Sequence, residues 1–299
     1  MARRKKGDKV DGWLVVDKPT GFSSAKIVAI VKRLFNAQKV GHGGTLDPLA
    51  TGILPIGLGE ATKTMPYIVD ATKEYEFTVK WGEATDSDDC EGEFVHTDGR
   101  IPTEDEILAV LDGFTGSIEQ IPPVYSAIKV EGKRAYALAR AGEEVQLKSR
   151  VVEIQSLSLI GDDKETGSTR FHVVCSKGTY VRSLGRDIAL KLGTYGHITA
   201  LRRTRVGPFD LEGAISLELL EDLSHSARAA GLLQPVTTAL DDIPALAVTA
   251  PEATDIQMGR SIQNPKAKQG ICVLMNGIQP VAIAEAEADV IRPLRVFNM

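Results

Sequence analysis

The chain of 299 residues has little cysteine, and what it has is scattered: Cys90, Cys175 and Cys272 show no CxxC spacing. That argues against a disulfide framework and a zinc ribbon, and it suits a reducing cytoplasm. Long apolar runs are missing too. No stretch approaches the ~18 apolar residues of a membrane span. The basic start Met1-Ala2-Arg3-Arg4-Lys5-Lys6 has no apolar h-region behind it, so it does not read as a secretory signal. There is no internal repeat, no low-complexity tract and no regular βαβ alternation. The one glycine-rich stretch lacks the Lys-Ser/Thr that closes a phosphate-cradling P-loop. As metal donors it offers only His42 and Asp47. The acidic run 86–91 lacks EF-hand spacing.

What is present is ordinary for a globular protein: 43% hydrophobic and 25% charged residues, enough chain for about two domains. The net charge of −5 argues against a polyanion partner, but its distribution argues back. Residues 1–40 hold ten basic and three acidic side chains, and 121–210 hold fifteen and nine. Residues 41–120 hold four and seventeen. Local potential, not the total, steers a polyanion, so the two basic segments can form one face.

The spacing predicts a strand over 13–16, a turn at Asp17-Lys18-Pro19-Thr20-Gly21, and a helix capped by Ser23 or Ser24 with Ile27, Val28, Ile30, Val31 and Leu34 at helical spacing. Residues 37–52 read as a loop. Residues 73–81 alternate as a half-buried strand with Tyr75 on the apolar face. Thr103 and Glu106 form a capping box for a helix through Leu111. Residues 121–136 read as extended, 151–160, 170–175 and 197–206 as strands, and 182–192 and 216–223 as helices. This mixture predicts α+β with a mixed, largely antiparallel sheet and flanking helices. A boundary at Asp241-Asp242-Ile243-Pro244 divides the chain into 10–242 and a small β-rich appendage over 243–299.

The chemistry concentrates in Gly41-His42-Gly43-Gly44-Thr45-Leu46-Asp47-Pro48-Leu49-Ala50-Thr51-Gly52. Glycines permit unusual backbone geometry, and Pro48 biases Asp47 away from the helical region. The stretch suits a rigid loop presenting one carboxylate. Asp before Pro also forms ordinary turns, and the residues alone do not choose.

This loop resembles the catalytic signature of the TruB family of tRNA pseudouridine synthases. The likeness continues in Asp17-Lys18-Pro19-Thr20-Gly21-Phe22-Ser23-Ser24, in Leu54 to Lys63, and in Lys73-Glu74-Tyr75. It extends through Pro123 to Lys129, Ser176-Lys177-Gly178-Thr179-Tyr180-Val181-Arg182 and Leu201-Arg202-Arg203. Gly43 stands where the family usually has threonine, which is expected to loosen the loop by one side chain. The resemblance implies the pseudouridine synthase fold with a PUA-like RNA-binding domain over 243–299. It implies conversion of uridine to pseudouridine in the T-loop of tRNA, at the position numbered 55 by convention, without a cofactor. Alternatives are an RNA chaperone for tRNA, which would not require Asp47, and a synthase aimed at another stem-loop.

By resemblance, Asp47 acts as nucleophile or sugar base, Arg182 pairs with it, and Tyr75 stacks on the target base and is a candidate proton relay. His42 fills the gap left by the extruded nucleotide. Leu201 and Tyr180 wall or support the pocket, Lys18 lies near it, and Asp89 touches RNA or orders its loop. Lys129, Lys133, Arg134, Arg202, Arg203 and Arg205 are candidate phosphate contacts from the basic segments. The expected partner is the tRNA T-arm, with no DNA, no membrane and a monomeric protein.

Overall fold

The computed structural model describes residues 7–299 other than 127, 131, 142, 144, 224–230 and 265–266; the side chains of 129, 134, 137 and 140 also lie outside the description. The apolar run after Gly12 forms β1 (Gly12–Lys18), and the turn at Pro19-Thr20-Gly21 leads to α1 (Ser24–Leu34). The Ser23 side chain caps α1 by accepting from the Lys26 amide. β2 (Val40–His42) and β3 (Thr51–Leu58) flank the glycine-rich loop, followed by α2 (Met65–Asp70). In β4 (Lys73–Trp81) every second side chain is buried, as its alternation requires.

The hairpin of β5 (Glu83–Thr85) and β6 (Phe94–Thr97) precedes α3 (Glu104–Leu111), which carries the Thr103–Glu106 capping box. β7 (Gly116–Gln120) follows. The described residues of the stretch expected to be extended, 121–136, form the short β8 (Lys129–Val130) and β9 (Lys133–Arg134) before α4 (Ala135–Arg140) begins. A long hairpin, β10 (Arg150–Asp163) and β11 (Ser168–Cys175), leads to α5 (Val181–Lys191) and β12 (Gly196–Val206). β13 (Phe209–Asp210), β14 (Ile215–Ser216) and α6 (Leu217–Leu223) come next.

Ten of these strands form one sheet in the order β14-β1-β3-β12-β4-β11-β10-β7, with β2 on β3 and β13 on β12. β3 runs antiparallel to β1 and parallel to β12, and from β12 to β7 every pairing is antiparallel. The sheet is therefore mixed and largely antiparallel. Gly52 makes the β3–β12 junction possible: its φ is +97°, and a Cβ there would stand 2.1 Å from the Arg203 carbonyl oxygen. α5 lays Leu184, Ile188 and Ala189 into the core with Val79 and Ile198.

The C-terminal elements are β15 (Ala245–Ala247), α7 (Ala250–Gln257), β16 (Ile262–Gln263), β17 (Gly270–Asn276), β18 (Gln279–Glu287) and β19 (Val290–Val296). Their sheet has the order β15-β17-β18-β19-β16. Ile256, Leu274, Ala282 and Ile291 form one core within it. Val273, Ile283 and Phe297 instead join Trp13, Ile53, Ile68 and Phe209 in a second core shared with the large sheet. Lys63 Nζ donates to the Val296 carbonyl at 2.8 Å, and the Asn298 amide donates to Glu60 at 2.8 Å. The C-terminal strands thus close the apolar back of the large sheet. No helix among the described residues is long and apolar enough to cross a membrane.

Candidate active site

The loop bearing Asp47 is fixed from several sides. Its apolar residues Leu46, Leu49 and Ala50 sink into the core on both sides of the aspartate. The Ser24 hydroxyl, at the start of α1, accepts from the Leu46 amide at 2.8 Å and donates to the Leu46 carbonyl at 3.1 Å. The Gly21 amide and Lys18 Nζ both donate to the Pro48 carbonyl, and Thr20 donates to the Leu49 carbonyl. Arg203 reaches across from β12 and donates to the carbonyls of Ile53, Thr45 and Gly44. Gly43 does not loosen this loop. A Cβ there would stand 2.4 Å from Ile68 Cγ2, so Ile68 of α2 already fills the space a larger side chain would need.

So held, Asp47 points at Arg182 in the first turn of α5. Arg182 Nε lies 2.9 Å from Asp47 Oδ2, an ion pair at contact distance whose N–H is not aligned as a hydrogen bond. The other guanidinium nitrogens are committed elsewhere. Nη1 meets Asp89 at 3.2 Å and donates to the Ser87 carbonyl, and Nη2 donates to the Tyr125 carbonyl. Arg182 is 3% exposed, so these partners hold it rigidly. Burial pushes the Asp47 carboxyl above the usual carboxylate range; Arg182 opposes that shift, and the Asp89 charge adds to it. The Asp47 side chain keeps 34% of its surface open, facing a cavity of about 1320 Å³.

Tyr75, Leu201, Tyr180 and His42 all line that cavity. Burial raises the Tyr75 hydroxyl pKa, so it stays protonated at neutral pH. His42 sits at the end of β2 with Nδ1 buried and without a hydrogen-bond partner among the described residues. Burial and the Arg203 charge lower its pKa, leaving a neutral ring at pH 7. Tyr180 caps α5 from outside, its backbone amide and carbonyl both bonded to the Gln120 side chain, with the Arg150 guanidinium 5.3 Å from its ring centre.

Several residues expected to meet RNA are placed otherwise. Lys18 is fully buried, and its ammonium is spent on the carbonyls of Pro19, Phe22 and Pro48. Burial lowers its pKa to about 8. Arg203 is 1% exposed, lining the cavity from below with its guanidinium on loop carbonyls, and Asp89 takes the loop-ordering one of its two expected roles, as partner of Arg182 and of the Glu91 amide. Arg202 closes its fork on Asp17 at 2.7 and 3.1 Å, and Arg205 faces Glu74 at 3.8 Å. Lys133 lies 3.9 Å from Glu143 on the surface. The side chains of Lys129 and Arg134 lie outside the described residues. Beside Arg182 and Arg203, the cavity is lined by Lys73, Arg150 and Lys177, and the spacing singles out neither Arg150 nor Lys177. Arg186 does not line the cavity; it stands one helical turn beyond Arg182, on the same face of α5.

This geometry meets its relatives in sequence. Residues 32–181 match the N-terminal domain of TruB family pseudouridylate synthases, and 182–241 match the tRNA pseudouridylate synthase B C-terminal domain. The chain is 50% identical to tRNA pseudouridine synthase B of Caulobacter vibrioides, over the full length of both. It is 51% identical to the protein of that name from Bradyrhizobium diazoefficiens, covering 100% of this chain and 89% of the relative. Among solved structures, a chain in the crystal structure of a Cbf5-Nop10-Gar1 complex superposes with a TM-score of 0.75 at 27% identity, covering 96% of this chain and 85% of that one. With family matches running from 32 to 241 and full-length relatives at about half identity, the chain belongs to the TruB family of pseudouridylate synthases.

Proposed function

We propose that the protein isomerises uridine to pseudouridine in tRNA, in the T-loop at the position numbered 55 by convention, with Asp47 as the reacting carboxylate. The observation that carries this reading is a carboxylate presented by a clamped loop, paired with a buried arginine and open to a cavity. The reaction breaks the bond from the ribose to uracil N1 and makes one to uracil C5. The C5 proton is lost and N1 gains one, so atoms balance without a cosubstrate.

Asp47 attacks the sugar or removes a proton from it, and either role requires the ionised form. Arg182 counters the burial that would keep it protonated. The target base must leave its stack, at a cost of a few kcal/mol. The ring of Tyr75 offers it a face, Leu201 an apolar wall, and the neutral His42 ring fills the vacated place in the RNA. Lys177, 60% exposed at its side chain, and Arg150 are the cations best placed to meet phosphates at the cavity mouth. The C-terminal strands extend the RNA surface as a PUA-like domain.

Incubating the full chain with unmodified tRNA transcripts and mapping pseudouridine tests this reading. Pseudouridine is expected at the T-loop position alone. Asp47→Asn should abolish it while RNA affinity stays within about tenfold, or 1.4 kcal/mol. Appreciable turnover by Asp47→Asn would overturn the assignment, and modification elsewhere in the tRNA would overturn the choice of site.

A further inference from the structure

Behind the cavity lies a second arginine–aspartate pair that the chemistry above does not use. Arg186 Nη1 is 2.7 Å from Asp88 Oδ2, its Nη2 donates to the Ile121 carbonyl at 2.8 Å, and its Nε donates to Asp187 at 2.9 Å. Asp88 is the residue between Ser87 and Asp89, both of which contact Arg182. Ile121 begins the segment whose Tyr125 carbonyl also accepts from Arg182. Two arginines one helical turn apart on α5 therefore grip the same two segments at successive points.

The Asp88 backbone is in the left-handed region, φ +62°, which an L-residue adopts only at a cost. Its amide donates to the Thr85 carbonyl at 3.3 Å, and its carbonyl accepts from the Ile198 amide at 3.0 Å, tying the turn to β12. Its side chain is the one Arg186 holds, and that carboxylate is mostly buried. Burial raises its pKa to about 6 against the opposing charges of Arg186 and Arg182, with Asp187 adding to the rise.

We infer that Asp88 and Arg186 are positioning residues for the isomerisation: their ion pair sets the 86–91 turn, the turn sets Asp89 and the Ser87 carbonyl, and these hold Arg182 on Asp47. The inference rests on the reading of Asp47 as the reacting carboxylate. Neither residue lines the cavity, so neither is expected to touch RNA.

The test uses the full chain with Arg186→Met, and with Asp88→Asn, since asparagine accepts a positive φ. In the free protein the Asp47 carboxyl is titrated by NMR, its signal assigned through Asp47→Asn. A slackened Arg182 opposes burial less, so Asp47 should titrate higher by about half a unit or more in either variant. At saturating tRNA, the single-turnover rate should fall about tenfold or more while RNA affinity stays within about threefold. In an Asp89→Asn background, Arg186→Met should cost less than about threefold further, because both act through Arg182.

An unmoved Asp47 titration with a rate within about twofold of the unaltered protein would overturn the inference, as would losses that multiply independently of Asp89→Asn. If Arg186→Met fails to melt cooperatively, Asp88→Asn decides by the same measurements. If the unaltered protein makes no pseudouridine, the functional reading fails, and the Asp47 titration still decides whether the second pair positions Arg182.

Discussion

Arg202 and Arg203 are neighbours on β12 and opposites in the fold. Arg203 turns inward, 1% exposed, and its guanidinium is shared among three carbonyls around the Asp47 loop. Arg202 turns outward, its side chain 38% exposed, and pairs with Asp17 in reach of solvent. A register shift between Arg203 and Arg205 returns Arg205 to the outer face, near Glu74, which His172 also approaches. A strand has period two, so one step along it exchanges the core for the solvent. Basic character in a segment therefore says little about its job. The inward cations Lys18, Arg182 and Arg203 build the site, and the outward ones balance a charged sheet face.

The sharpest break in this comparison is expected inside. Arg182→Met leaves Asp47 and Asp89 facing each other without a guanidinium. At saturating tRNA the rate should fall at least about a thousandfold, about 4 kcal/mol. The pH profile adds a sign. If Asp47 is the reacting carboxylate it must be ionised, and its pKa is already raised, so the rate should climb with pH as the carboxyl deprotonates and fall away on the acid side. Removing the charge that opposes burial should carry that acid limb to higher pH. An acid limb that stays in place would show that Arg182 does not govern Asp47.

Arg203→Met is expected to come next. It strands a buried acceptor at Ile53, costing roughly 1–3 kcal/mol when left unpaired, and removes the donors to the less buried carbonyls of Thr45 and Gly44. A loss of about 3 kcal/mol in urea unfolding and about tenfold in rate should follow. A stability change below about 0.5 kcal/mol would place Arg203 among the outward cations instead.

The same inner wall has an apolar member. Gly43→Ala drives a Cβ into Ile68; overpacking of this kind costs about 1–3 kcal/mol, and by displacing the Asp47 loop it should slow the reaction. Adding Ile68→Ala removes the colliding methyl and should recover part of the lost rate. If the double variant is slower than Gly43→Ala alone, Ile68 is not what limits position 43.

Much of this was legible because the local signals agree with the fold. The alternation over Lys73–Trp81 gives β4 and points Tyr75 inward, and the Thr103–Glu106 box begins α3. β3 was not legible: it is buried along nearly its whole length, so nothing alternates, and Pro55 argues against a strand that in fact pairs with β1 and β2. The six residues of α2 are too few to show a helical period, yet they supply Ile68. At the site, resemblance named Asp47, Tyr75 and Arg182, which the fold brings to one cavity or its wall. It could not tell that Lys18 and Arg203 donate to the carbonyls of the Asp47 loop. That depends on which carbonyls they meet, and those carbonyls belong to distant parts of the chain.

The smallest expected effect is the most discriminating for the comparison. Arg202→Met removes a half-exposed ion pair with Asp17, and such pairs contribute roughly 0–1 kcal/mol. Stability should change by no more than that, and the single-turnover rate by less than about twofold. Affinity for tRNA measured against salt provides the decisive reading. A lost phosphate contact flattens the slope of log affinity on log salt by about 0.7–0.9. Lys177 stands at the cavity with its ammonium 2.9 Å from Asp70 and most of its side chain in solvent, so Lys177→Met should flatten the slope by about one contact. Arg202→Met should leave the slope unchanged, because its fork is already closed on Asp17. Equal flattening by both variants would mean that RNA opens the Asp17 pair and recruits the outer face, and the division between building and balancing cations would fail at this arginine.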